Sequence, residues 1–160
     1  MKDFYFNFIE LWKKLCELHS QLYDFTCDEY SVLLSGEVEQ LELVGKKKEK
    51  LMGLITNLDE YRDDLIKHMK NFNSNLTFEK VIDVIQYFKD FEKENSLSLL
   101  ENLNTLLIDI IEKIKEQNKK NQIFLHKSIR SFEQIRQGLQ GNYQHRIYNS
   151  KGYSIGLKSS

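Results

Sequence analysis

Histidine and cysteine are the residue types in this chain that could bind a metal ion. The four histidines are His19, His68, His126 and His145. A di-iron four-helix bundle needs a glutamate three residues before a histidine. The residues at those positions are Cys16, Leu65, Ile123 and Asn142. Cys16 and His19 could share one helix face, but no second pair completes a four-ligand site. We therefore expect no metal site and no bound cofactor.

Paired carboxylates and nucleophile motifs are the other places where catalysis could arise. Adjacent carboxylates occur at Asp28–Glu29, Asp59–Glu60 and Asp63–Asp64. Neighbouring side chains on a helix point about 100° apart, so these pairs do not converge on one substrate. The sequence contains no Cys-x-x-Cys pair, glycine-rich phosphate loop or nucleophile elbow. We therefore expect a protein that is not an enzyme.

The positions of the cysteines and of the apolar residues indicate a cellular compartment. Cys16 and Cys27 fall on one predicted helix, where they would lie roughly 16 Å apart, too far for a disulfide. The sequence lacks a secretion-signal pattern, and no run of about 18 apolar residues could span a membrane. We therefore expect a cytoplasmic protein with free thiols and no direct insertion into a membrane.

Charge is distributed unevenly, although the formal net charge is −1 at pH 7. Residues 113–160 contain ten basic side chains against Glu116 and Glu133. Such a stretch could bind nucleic acid or another anionic surface, with an affinity that falls steeply as salt rises. It could equally be a set of solvated helix faces. We favour the solvated faces and expect no nucleic-acid partner.

Apolar residues recur in three- and four-residue steps along most of the chain, which predicts long helices. Proline, the strongest helix breaker, is absent. The predicted helices cover about 4–34, 37–69, 78–91 and 98–139. We expect an all-α fold, an elongated antiparallel helical bundle with long coiled-coil-like helices, in residues 1–140. Residues 141–160 are expected to form a mobile C-terminal tail.

The last predicted helix organises the rest of the chain. Its apolar stripe runs from Leu100, through the amides of Gln117 and Asn121, to Leu139. Its period near 3.5 residues is typical of a helix packed lengthwise on other helices, where buried amides can fix the register. Apolar side chains in its second half spread over more than one stripe. They either form the far end of the core or leave a face for an apolar partner helix.

Glycine, lysine and serine mark the predicted breaks. Gly36 can supply a left-handed cap between the first two helices, which would then form an antiparallel hairpin. The run Lys46–Lys48 is expected to loosen or bend that hairpin. Ser98 is expected to begin the last helix as its cap, and Gly138 to lie where that helix ends.

Three stretches of the sequence carry a family resemblance. The entry to the second helix reads LLSGEVEQL in residues 33–41, with KEKL in residues 48–51. The later part of that helix matches in spacing only, at Leu54, Leu58, Tyr61, Arg62 and Leu65. The third stretch is NKKNQIFL in residues 118–125, followed later by YNSKG in residues 148–152. With these stretches the chain resembles the FlgN family of flagellar type III export chaperones. Residues 71–96 are not anchored by the pattern.

The resemblance implies a non-enzymatic chaperone. Members of the family bind the C-terminal helical segments of hook-associated proteins, which form the hook–filament junction. They prevent premature assembly of these proteins and bring them to the type III export apparatus at the membrane. By matching region, the resemblance places partner-binding residues on the last helix and the tail: Leu125, Ile129, Phe132, Ile135, Leu139, Tyr143 and Tyr148.

The main alternative is a self-assembling coiled-coil scaffold or adaptor. Such a protein would use the same apolar seams to form a homodimer or a larger homo-oligomer, and it would need no client.

Overall fold

The computed structural model describes residues 2–72, 78, 80–94, 97–143, 147–148 and 154–155, with side chains described as far as Leu139. The elements in these ranges are α1 (Lys2–Ser35), α2 (Val38–Phe72), α3 (Val81–Glu94), α4 (Leu99–Tyr143), β1 (Ile147–Tyr148) and β2 (Ser154–Ile155). The two short strands pair antiparallel. The prediction of an all-α helical bundle is confirmed. None of the helices in the described ranges has a stretch long and apolar enough to cross a bilayer.

The chain divides into two compact units, and helix α4 contributes residues to both. Unit 1 comprises Met1–Lys120 and unit 2 comprises Asn121–Ser160. The sequence placed the division at residue 140, where the composition changes. Helix α4 passes through Gly138 and ends at Tyr143, because a glycine inside a helix costs only about 1 kcal/mol and does not by itself end it. The mobility expected of residues 141–160 stays a prediction.

Helices α1 and α2 form the antiparallel hairpin that the sequence predicted. Gly36 has a φ of 73°, and its N–H donates to the Val32 carbonyl at 3.0 Å. This left-handed conformation strains residues that carry a Cβ, so glycine ends α1 with little strain. Helix α2 then begins at Val38.

Two glycine substitutions are expected to change stability in opposite directions. Gly36→Ala should lower the free energy of unfolding by about 1 kcal/mol, because alanine is strained at positive φ. Gly53→Ala should raise it by about 0.5–1 kcal/mol, because Gly53 is helical and an added Cβ meets nothing within 4 Å. Urea unfolding of both variants measures the difference. Equal effects at both positions would contradict the assigned turn.

The lysine run does not loosen the hairpin, so that part of the prediction is wrong, and the expected bend stays a prediction. Helix α2 continues through it. The Lys48 ammonium lies 2.8 Å from the Glu29 carboxylate and 3.4 Å from the Asn118 side-chain oxygen. The Lys47 ammonium lies over the Phe25 ring, 5.3 Å from its centroid. Lys48 therefore links α2 to α1 through the Glu29 carboxylate, which neutralises its charge, and to α4 through the Asn118 side chain.

The core of unit 1 lies where the first half of α1 meets the end of α2, helix α3 and the start of α4. The largest fully buried side chains are Trp12, Tyr5, Phe8, Phe88, Leu15, Leu100, Val84 and Thr26. The ring centroids of Tyr5 and Phe8 each lie 5.6 Å from that of Phe88. Helix α3, which the family pattern did not anchor, therefore completes the core at this end.

Helix α3 begins three residues later than the sequence predicted. The Asp83 carboxylate accepts a hydrogen bond from the Lys80 N–H at 2.8 Å, and the Lys80 carbonyl accepts one from the Asp83 N–H at 3.0 Å. This reciprocal pair caps the first turn at Lys80. Helix α4 begins after Ser98, whose carbonyl accepts from the Asn102 N–H at 3.1 Å.

A buried carboxylate joins three helices within this core. Glu92 of α3 is only 3% exposed. Its Oε1 accepts hydrogen bonds from the Tyr5 hydroxyl of α1 and from the Leu100 N–H of α4, both at 2.7 Å. The Leu100 N–H belongs to the first turn of α4, where backbone donors lack partners inside the helix. Glu92 therefore satisfies a helix end and fixes the position of the Tyr5 ring.

Stability is expected to fall at high pH because of Tyr5. Burial, and then the hydrogen bond to Glu92 and its charge, raise the pKa of Tyr5 well above its usual value near 10. Above pH 10 the unfolded chain releases this proton while the folded chain keeps it. The free energy of unfolding should then fall with pH by up to about 1.4 kcal/mol per unit from this group. Urea unfolding from pH 8 to 11 should show a shallower fall in Tyr5→Phe, and equal slopes would contradict this origin.

Candidate partner-binding face of helix α4

Helix α4 carries its apolar stripe from buried to exposed surroundings. In unit 1, Leu100, Leu107 and Ile114 are buried. Farther along the stripe Gln117 is half-buried, and Asn121, at the start of unit 2, is only 5% exposed. The two amides therefore lie on the buried side of the helix, where the sequence placed them. Their role in fixing register stays a prediction.

Toward its end the stripe becomes exposed at Phe132, Ile135 and Leu139, and the neighbouring Leu125 and Ile129 are exposed as well. Five of the predicted partner-binding residues define what we call the α4 face: Leu125, Ile129, Phe132, Ile135 and Leu139. Their exposed fractions range from 43% at Leu125 to 74% at Phe132. At about 100° per residue, the five side chains leave the helix within a sector of about 120°. They therefore lie on one side of the helix and form a largely apolar surface, of the kind that marks interaction sites.

For the two predicted tyrosines, the structure describes the backbone only. Tyr143 is the last residue of α4, and Tyr148 lies in β1. Their side chains lie outside the described part of the structure. Their membership of the partner-binding site therefore stays a prediction.

An open pocket lies on the α4 face. It is lined by Ile129, Phe132, Glu133 and Arg136. Within the described ranges, no ion pair joins Glu133 or Arg136 to another side chain. The pocket therefore combines an apolar floor with two opposite charges that are open to solvent. The sequence stripe did not indicate Glu133 or Arg136, because it was read from apolar residues alone.

The residues that could have formed half a metal site are engaged elsewhere. The Cys16 thiol donates to the Leu103 carbonyl at 3.4 Å, and burial raises the pKa of this thiol. The His19 Nδ1 lies 2.8 Å from the Leu15 carbonyl, to which it must donate because a carbonyl only accepts. Among the residues that the structure describes, no group of three or more His, Cys, Asp or Glu side chains could hold a metal ion.

A second open pocket lies between α1 and α2, at a place that the sequence did not indicate. Its apolar floor is formed by Leu18, Leu54 and Leu58, and its rim by Lys14, Glu17, Gln21 and Asn57. Glu17 accepts hydrogen bonds from Lys14 at 2.7 Å and from Gln21 at 3.3 Å. Part of the rim is thus paired internally. Nothing in the sequence indicated this pocket, because the positions of Leu18, Leu54 and Leu58 do not show whether their side chains are exposed.

Comparison with known proteins gives one family. The model of the FlgN protein family matches residues 1–154, which include all four helices and β1. Searches of curated proteins and of solved structures returned no match.

Proposed function

Because the chain belongs to the FlgN family, a family of flagellar export chaperones and not of enzymes, we propose that it binds hook-associated proteins. It binds the C-terminal helical segments of these hook–filament junction proteins in the cytoplasm. Binding prevents their premature assembly, and the chaperone then delivers them to the type III export apparatus at the membrane.

The observation that carries this proposal is the exposure of the α4 face. A protein that later polymerises through helical segments carries apolar stripes that aggregate unless they are covered. A second amphipathic helix can cover such a stripe by laying its own apolar side against it. Leu125, Ile129, Phe132, Ile135 and Leu139 offer such a side on one helix. Tyr143 and Tyr148 extend the proposed site toward the C-terminus.

Among the residues that the structure describes, this face lies outside the packed core. None of the five residues belongs to the buried core cluster or to the partly buried side chains packed against it. That core is formed by residues of unit 1, which include Trp12, Phe88 and Leu107. The α4 face is therefore available to a partner without loss of core packing.

Capture of partners by the full chain tests the proposal. The tagged protein is purified from its source cell, and bound proteins are identified by mass spectrometry. We expect hook-associated proteins to be enriched, and their binding to be lost when their C-terminal helical segments are deleted. Retention of clients that lack these segments would contradict the proposal.

The exposed face would also serve a self-assembling scaffold, since a second copy could cover it. Light scattering over a concentration range separates the two functions. For a chaperone, the molar mass measured by light scattering should increase when a client is added, because the two proteins form a complex of defined composition. A scaffold would remain a homo-oligomer on dilution and would bind no hook-associated protein.

A further inference from the structure

Arg136 lies within the α4 face and not beside it. It follows Phe132 by four residues and precedes Leu139 by three, spacings that place side chains on one side of a helix. It also lines the open pocket with Ile129 and Phe132. A partner helix that covers Phe132 and Leu139 must therefore also cover the Arg136 guanidinium.

Covering this guanidinium without a counterion is unfavourable. An arginine cannot lose its charge in a protein, and removing it from water without an anion opposes binding strongly. A carboxylate reverses the balance, because guanidinium and carboxylate form two parallel hydrogen bonds of matching geometry. Only when the partner also places an anion against the Arg136 guanidinium is the binding energy of the apolar contacts therefore not offset.

Unit 2 itself offers little negative charge for this purpose. Unit 2 contains six basic side chains and one acidic side chain, Glu133. Glu133 lines the same pocket three residues before Arg136, yet within the described residues the two form no ion pair. A second copy that presented its own α4 face would bring the same excess of positive charge. The anion is therefore supplied more favourably by an acidic partner than by the α4 face of a second copy.

We infer that the segment bound to the α4 face is an amphipathic helix that places an acidic side chain against Arg136. This inference rests on the proposed function and adds the chemistry of the client. Arg136 is then a specificity-determining residue. It selects acidic amphipathic helices over equally apolar helices that carry no carboxylate at that position, because those would leave the guanidinium unpaired.

A pair of charge reversals tests the inference. The probes are the purified C-terminal segments of the organism's hook-associated proteins, titrated against the full chain. Arg136→Glu should weaken binding by roughly 10- to 100-fold. Arg130→Glu makes the same change in net charge about 200° around the helix from Phe132, and it should weaken binding by less than about threefold. Arg136→Gln should fall between wild type and Arg136→Glu.

Rescue by the client completes the test. Lysine is placed at each acidic position of the client segment in turn. We expect one of these variants to regain affinity for Arg136→Glu while losing it for the wild-type chain. Equal losses in Arg136→Glu and Arg130→Glu would overturn the inference in favour of net charge alone. An unchanged affinity in Arg136→Glu would also overturn it, because the guanidinium then extends to solvent.

The outcome also separates this inference from the proposed function. If the hook-associated segments bind wild type and Arg136→Glu equally, the chaperone function stands and the acidic contact is wrong. If no hook-associated segment binds the wild-type chain, both are wrong. A third result would show that a second copy occupies the face. In that case the chain only self-associates, each single charge reversal at Glu133 or Arg136 breaks the association, and the double reversal restores it.

Discussion

Replacing Ile129 and Phe132 together by aspartate is expected to abolish capture of hook-associated proteins. Both side chains are exposed, at 46% and 74%, so the free protein should lose little stability. In a complex the two carboxylates would be placed in an apolar interface, where a desolvated charge opposes binding strongly. We expect a loss of affinity of at least about 100-fold, because two central apolar anchors are removed at once. Pull-down and titration with purified clients measure this loss.

A matched control lies on the same helix. Leu106 and Ile108 are exposed to 48% and 52%, but they belong to unit 1 and not to the α4 face. Aspartate at both positions should leave client binding within about threefold of wild type. Circular dichroism should show the same helicity in both double variants. If binding survives in the Ile129 and Phe132 variant, or is lost equally in the control, the α4 face is not the client site.

Replacing Glu92 by alanine is expected to lower the free energy of unfolding by about 2–5 kcal/mol. The substitution removes the only side-chain acceptor that the described structure shows for both the Tyr5 hydroxyl and the Leu100 N–H. Each buried donor left without a partner costs about 1–3 kcal/mol. Three helices meet at this residue, so the loss should appear as a lower urea midpoint of the whole of unit 1.

Glu92→Gln is the control for this effect. Glutamine keeps an oxygen acceptor of the same reach but removes the charge, so it should destabilise the chain by less than alanine does. Client binding should be unchanged in Glu92→Gln, since Glu92 lies in the core and not on the α4 face. If both substitutions have equal effects, the hydrogen bonds of Glu92 are not what stabilises this junction.

Local sequence signals were sufficient for the helical architecture. Gly36 stands between two apolar stripes and has the positive φ that its cap requires, because the chemistry of this turn depends on a few adjacent residues. The stripe of α4 from Leu100 to Asn121 likewise lies on the buried side. The period of 3.5 residues reports which side of a helix is apolar, and that side is the same whatever packs on it.

Long-range pairing was beyond the sequence. Glu92 is separated from Tyr5 by 87 residues along the chain, and its polarity alone predicts exposure. Lys48 was read as a loosening residue because its partners, Glu29 and Asn118, lie on other helices. In both cases the charged group is buried or half-buried because a distant residue pairs with it.

The candidate site shows the same limit in another form. The sequence left two alternatives for the second half of α4, a core or a face for a partner, because the apolar pattern is identical in both. The exposed fractions of Phe132 and Leu139 favour the second alternative. Arg136 was missed because a charged residue inside an apolar stripe gives no signal in a count of apolar positions.

The central claim is that a client helix lies directly on the α4 face. The most direct measurement replaces Phe132 by a photo-crosslinking phenylalanine analogue in the full chain and irradiates living cells. The account predicts a crosslink from this position to the C-terminal segment of a hook-associated protein, and none from the same analogue at Leu106. A chain that still binds its client but crosslinks from Leu106 and not from Phe132 would contradict the account.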